Sequence, residues 1–402
     1  MTSLIQWRPT AALAGVNATI TLSWIIYRIH LVGLVTQAGF SASFAPLLLL
    51  IESILMIGIE PWAGSTSDRT VGSLGGRFYI IWVGAGLTTL LFIGLPGIVA
   101  RLPQNSAENW WFPGLLIVWA VAISLLRSPA LALLGRYASA KQLPAAASLV
   151  TLAGALASSA TPLASPWLLS LGVTTTFVAV GVLLLVSVGW LKMSQVVIPL
   201  QADLNQAHLQ LAAPTRLVVF GQILGLGLTV TLAFRLAVEL FPKILKAQVT
   251  AVQPPIVMGI LFISMAVGAL LGGRLAMRWT NFKAMCVGLG LTAVFLILML
   301  LTRSAVTASC IAAGLGISLG FVFNGTLPFI FYSVAAPQAG LGVGLFFAGA
   351  AAASSLYSGI LNRPGVLSTF GGVWLGLGAL LCAGLCIVSQ SFIQSSKISD
   401  IE

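Results

Sequence analysis

Apolar runs of about twenty residues recur along the chain, separated by short polar or glycine-broken stretches. Runs of that length cross a hydrocarbon core of roughly 30 Å as helices. Twelve spans are predicted, at 11–33, 42–61, 78–100, 112–134, 145–169, 172–192, 214–240, 252–276, 284–302, 305–332, 340–361 and 366–389. Alternating ten-residue strands are absent from the sequence pattern, which argues against a barrel. The fold expected is all-α, two six-helix bundles in one membrane. The longest polar stretch between spans, Lys192 to Arg216, divides the chain into a first bundle over 1–192, a cytoplasmic linker over 193–213 and a second bundle over 214–402. The short lead "MTSLIQWRPT" precedes a run long enough to stay as a span rather than be cleaved.

Composition sharpens this picture. Of 402 residues, 58% are hydrophobic and 7% charged, against about 25% charged in a soluble domain. A surface so poor in charge has lipid as its main solvent. The formal net charge of +11 would suggest nucleic acid in a soluble protein; here the cations sit between spans and read as topology signals. With the N-terminus inside, eleven Lys and Arg fall on inner segments (Arg8, Arg69, Arg77, Arg136, Lys141, Lys192, Arg216, Arg274, Arg278, Lys283, Lys397) and five on outer ones (Arg101, Lys243, Lys246, Arg303, Arg363). That bias predicts both termini in the cytoplasm, with the chain in an inner or plasma membrane. Cys286, Cys310, Cys382 and Cys386 lie in apolar runs without a C-x-x-C and are expected to be small buried hydrophobes. His30 and His208 are too far apart in sequence for a histidine-rich metal site. No cofactor is called for, and no nucleophile–base–acid set suggests an enzyme.

The halves resemble each other. "WIIYRIHLVGL" matches "TLAFRLAVELF", setting Arg28 against Arg235; "GSTSDR" matches "GRLAMR", and "SPALALL" matches "TLPFIFY". The offsets, 207, 209 and 199 residues, agree well enough to predict a duplicated six-helix unit with its substrate site between the copies.

Between spans 2 and 3 stands Gly64-x-x-x-Asp68-Arg69, followed by Gly76-Arg77. Gly64 permits close helix approach, Asp68 suits the positive end of a facing helix, and the arginines hold the turn inside. This arrangement resembles the signature of the major facilitator superfamily. The resemblance implies twelve spans, alternating access, and a latch in which Asp68 ties the halves together with Arg69 and Arg77 as supporting charges. The second copy has Met277 where Asp68 would be, so the implied latch is one-sided. A narrower likeness joins "SDRTVGSLGGRFYIIWVG" and the run from Arg127 to Gly154 to the glycoside–cation symporters and the bacteriochlorophyll-delivery proteins. Gly135-Arg136 stands where those branches carry an acid, which weakens any transfer of substrate or coupling ion. Two classes remain: a transporter of a small solute, symport included, and a non-transporting assembly factor that binds pigment or photosynthetic subunits.

Ionisable residues within spans cost about 2.5–3.5 kcal/mol on insertion scales, so each needs a partner or a water-filled cavity. Glu52 in span 2 and Arg127 in span 4 fall at similar depth and are expected to pair, either as a structural lock or as a substrate or proton site. Arg235 and Glu239, one turn apart, and Arg28 form an outer gate, an anion site or a snorkelling set. Asn17, Gln222 and Asn324 bond a solute or a neighbouring helix, and Asn324, beside Gly325 and Pro328, marks a place where a helix can bend. Glycine-rich "GLGISLGFVFNG" and "GALLGGRLA" lack a Gly-Lys-Ser/Thr and a strand context, so they serve helix packing and not nucleotide binding. Energy input is then expected from a gradient.

Overall fold

The computed structural model describes residues 5–70, 76–103, 108–195, 213–249 and 252–399. The predicted linker, with His208, lies almost entirely outside them. Among the described residues there are twelve helices long and apolar enough to cross a membrane and no strand. They are α1 (Trp7–Gln37), α2 (Phe44–Arg69), α3 (Gly76–Val99), α4 (Trp111–Leu131), α5 (Leu143–Ser170), α6 (Val173–Met193), α7 (Ala213–Gln248), α8 (Pro254–Arg278), α9 (Asn281–Leu298), α10 (Ala305–Ser333), α11 (Ala339–Leu356) and α12 (Thr369–Ser399). A helical turn, Leu134–Tyr137, extends α4.

Their ends follow from local chemistry. Ser304 Oγ accepts the Thr307 N–H at 3.2 Å while the Ser304 N–H donates to Thr307 Oγ1 at 3.0 Å, a reciprocal cap that opens α10. Gly172, at φ +82°, makes the turn between α5 and α6, a conformation that side chains other than glycine resist. Large apolar side chains cover the outside: Leu90, Leu381 and Val306 are each more than 70% exposed. Helices apolar all round suit lipid, not water.

The packing repeats. In the first half α1 lies on α5 and α6, α4 on α2 and α3, and α3 on α6; six helices later α7 lies on α11 and α12, α10 on α8 and α9, and α9 on α12. The halves meet along α2 with α11 and along α5 with α8, which exchange under the same six-helix shift. Thus the duplication seen in "GSTSDR" and "GRLAMR" has a spatial counterpart, since those segments end α2 and α8. Twelve crossings also return the chain to the side on which it starts, called here the starting side.

One expectation about this shell is corrected. Cys310 and Cys382 are exposed, and Cys286 and Cys386 are only partly covered. An apolar run in a membrane helix has a lipid-facing side as well as a core side, and periodicity alone did not separate them.

Candidate translocation cavity and the closure beneath it

A cavity of about 120 Å³ lies between the halves. Trp24 and Arg28 of α1, Leu49, Glu52, Ser53 and Met56 of α2, and Arg127 of α4 form one wall; Phe347, Ala350, Ala351 and Ser354 of α11 form the other. The spacings, i to i+3, i+4 and i+7, put each set on a single helix face. This volume admits a few waters, less than the roughly 300–1,000 Å³ of a ligand pocket.

Arg127 does not pair with Glu52. Its guanidinium is held by Glu60, whose other oxygen accepts from the Ser128 hydroxyl. The apolar pattern predicts an end to span 2 at residue 61, one residue after Glu60. Instead α2 continues through Pro61 to Arg69, so Glu60 sits inside the helix, fully buried. Glu60 is eight residues beyond Glu52, about 12 Å along the axis, and that difference in depth decides the partner. Arg127 also lies over the Phe347 ring, 4.2 Å from its centroid, and so reaches the other half.

Glu52 is 2% exposed and accepts from the Tyr27 hydroxyl, with its second oxygen buried and unpartnered. Tyr27 is held by an aromatic stack: its ring centroid is 4.5 Å from that of Trp119, which stacks on Phe92, which stacks on Phe177. Arg28, by contrast, is exposed and lines the cavity, 5.7 Å from the Trp24 ring centroid. Arg235, Glu52, Arg127 and Glu239 lie close enough to act on its charge. Arg235 and Glu239 approach to 3.7 Å, and Arg235 Nη2 donates to Ser354 Oγ at 3.4 Å, on the cavity wall.

The remaining polar residues within spans are not in this site. Asn324 is buried with Oδ1 unpartnered, and α10 runs unbroken past it. Asn17 donates to the Val150 carbonyl at 3.0 Å and Gln222 to Ser389 Oγ at 2.9 Å, each tying two helices together. Sequence reasoning missed Glu60, Tyr27, Trp24, Phe347 and Ser354. Glu60 was recoverable from its i+8 relation to Glu52; the others depend on long-range contacts.

On the starting side of the cavity the halves close on each other. Asp68 Oδ1 accepts the Gly340 N–H at 2.9 Å and Oδ2 accepts the Leu341 N–H at 2.8 Å, at the start of α11. These are among the N–H groups a helix leaves free at its first turn, where the dipole favours an anion. Arg77, 3% exposed, pairs with Asp68 at 2.5 Å, and Arg136 acts on the same charge. Gly76, at φ +51°, starts α3 in a conformation that favours glycine and sets Arg77 one residue on. Arg69 is exposed and makes no ion pair among the described residues. A Cβ on Gly340 would stand 2.5 Å from the Gly64 carbonyl oxygen and 2.7 Å from Asp68 Oδ1; one on Gly344 would stand 2.8 Å from Pro61 Cα. The second copy keeps the close approach without the acid: a Cβ on Gly273 would meet the Pro144 carbonyl oxygen at 3.0 Å, while Met277 is exposed. Toward the far side, contact is through side-chain ends, such as Leu50 near Gly359.

The sequence profile of the Major Facilitator Superfamily matches residues 11–358. The fold is similar to that of the human organic anion transporter MFSD10, with a TM-score of 0.69 at 13% identity over 95% of this chain and 99% of that one. It is also similar to a bacterial homologue of the iron transporter ferroportin, solved in an outward-facing state with soaked iron, with a TM-score of 0.66 at 16% identity over 95% and 99%. No curated protein matches the sequence. Neither the profile nor these structures singles out the glycoside–cation or bacteriochlorophyll-delivery branch. On the family profile and on a twelve-helix fold, the chain is a multi-pass membrane protein of the major facilitator superfamily.

Proposed function

We propose that the protein is a secondary transporter whose halves, 1–192 and 214–402, rock about the cavity and expose it to the two faces of the membrane in turn. The observation that carries this reading is the asymmetry of the inter-half contacts. The starting side is closed by backbone against backbone at glycines and by Asp68 on the α11 N-terminus, while toward the far side the halves touch through leucine side chains, Leu50 near Gly359 and Leu163 near Gly259. Polar contacts of this kind exchange with water at a modest net cost, which lets the starting side open. The excess of Lys and Arg on the starting side supports a cytoplasmic placement for it, in which the conformation described is closed to the cytoplasm. Asp68, Gly64 and Arg77, with Arg136, form the latch; Arg69 contributes to topology.

A single cysteine at Ser53, in a protein lacking its native cysteines, tests the proposal. A membrane-impermeant maleimide should reach it from either face of sealed proteoliposomes. Labelling from one face only, under all conditions, would show a fixed cavity and refute alternating access.

Glu52 is the candidate proton carrier. It is the carboxylate of the cavity wall, and protonation would remove a charge that has Tyr27 as its single hydrogen-bond partner. Labelling of Ser53→Cys should depend on pH in the wild-type background and lose that dependence with Glu52→Gln. An unchanged pH profile in the Gln variant would exclude Glu52 as the carrier.

A further inference from the structure

We propose that the cavity contains an anion subsite at Arg28, and that the solute is a small organic anion: one carboxylate, sulfonate or phosphate on an apolar body. This rests on the transporter reading above and adds the substrate class. The charges on the wall are not equivalent. Arg127 is satisfied from behind by the buried Glu60. The wall's one carboxylate, Glu52, is withdrawn and bound by Tyr27. Arg28 belongs to none of the ion pairs among the described residues, is exposed and lines the cavity. A solute entering there meets the exposed Arg28, while Glu52 is buried in the wall.

An arginine between membrane helices with no carboxylate in direct ion-pair contact is costly unless water or a ligand solvates it. The guanidinium offers a planar fork that matches an oxyanion in a two-point contact. Trp24 stands against the arginine from within its own helix, limiting its freedom. Across the cavity, Ser354 presents a hydroxyl bonded by Arg235, a second cation whose field at Arg28 is partly offset by its own partner Glu239. The rest of the opposite wall, Phe347, Ala350 and Ala351, together with Met56, is apolar and suits a hydrocarbon or aromatic body.

The test is a charge series of one shape on the purified full-length protein in detergent. Benzoate and benzenesulfonate should raise the unfolding temperature saturably, because a ligand of the folded state stabilises it; benzamide and benzylammonium should not. Arg28→Gln should weaken benzoate binding roughly tenfold to a hundredfold, the loss of charge-assisted hydrogen bonds. Arg28→Lys should retain part of the affinity. The proposal is overturned if neither anion gives a saturable shift, if benzylammonium stabilises as well as benzoate, or if Arg28→Gln binds benzoate like the wild type. Should Arg28→Gln fail to fold, the charge series on the unaltered protein decides. Loss of anion selectivity with two-sided labelling at Ser53 intact sinks this inference alone; one-sided labelling with anion binding intact sinks the transporter reading instead.

Discussion

Gly340→Leu should hold the starting side open and abolish the conformation described here. The Gly340 hydrogen side faces the Gly64 carbonyl and the Asp68 carboxylate, and a single Cβ there already falls within 2.7 Å of both. A leucine cannot turn away, because the obstructing atoms include the backbone of α2, which is fixed by Glu60 and its partners one turn further in. Overpacking of this sort costs about 1–3 kcal/mol, and between two states that differ by this contact it shifts the population about 5–150-fold. In the proposed cycle the cost falls only on the closed state, because opening would separate α2 from α11 at this level. Ser53→Cys in the Gly340→Leu background should label freely from the starting side and slowly from the far side. Gly33→Leu, where a new Cβ meets nothing within 4 Å, is the matching control and should leave both rates unchanged.

Arg127→Ala should destabilise the protein more than any other single change at the cavity. Glu60 is fully buried, and its carboxylate is held by Arg127 and Ser128. Removing the arginine leaves an uncompensated charge in a low-dielectric interior, which costs about 3–5 kcal/mol, whereas replacing both partners by well-packed apolar residues is often neutral. Unfolding in detergent should therefore rank Arg127→Ala lowest and return most of the loss in the double variant Glu60→Met/Arg127→Met. The same pair should show a coupling energy well above the few tenths expected for independent sites. Additive losses would mean that Glu60 and Arg127 do not act as a unit.

These two predictions also show where sequence was informative. The number of spans, the equivalence of α2 with α8 and the glycine–aspartate end of α2 are local or repeating features, and each was legible. Gly64 and Asp68 carry their chemistry in five residues, so their type of partner, a closely packed helix N-terminus, followed from physical chemistry alone. The identity of that partner did not, because Gly340 is 272 residues away from Asp68. The pairing of Arg127 was misread for a different reason. Pro61 and the polar residues after Glu60 resemble a helix end, yet a proline inside a membrane helix removes one hydrogen bond without ending the helix when neighbours pack against it. Eight further residues of helix moved the acid that matters from Glu52 to Glu60. The contrast between exposed Arg28 and withdrawn Glu52 depends on which way each helix is rotated, and a chain so uniformly apolar carries little of that information.

In the proposed cycle the two halves exchange closures on opposite sides of one cavity. Nitroxide labels placed on cysteine-free protein at Arg69 and Arg278 report the starting side, and labels at Ser43 and Lys246 report the far side; all four positions are exposed, and each pair joins the two halves. Electron–electron distance measurements in lipid should give two populations for each pair. Asp68→Asn should lengthen the Arg69–Arg278 distance and shorten the Ser43–Lys246 distance together. A single distance in each pair, unmoved by Asp68→Asn, would contradict the account.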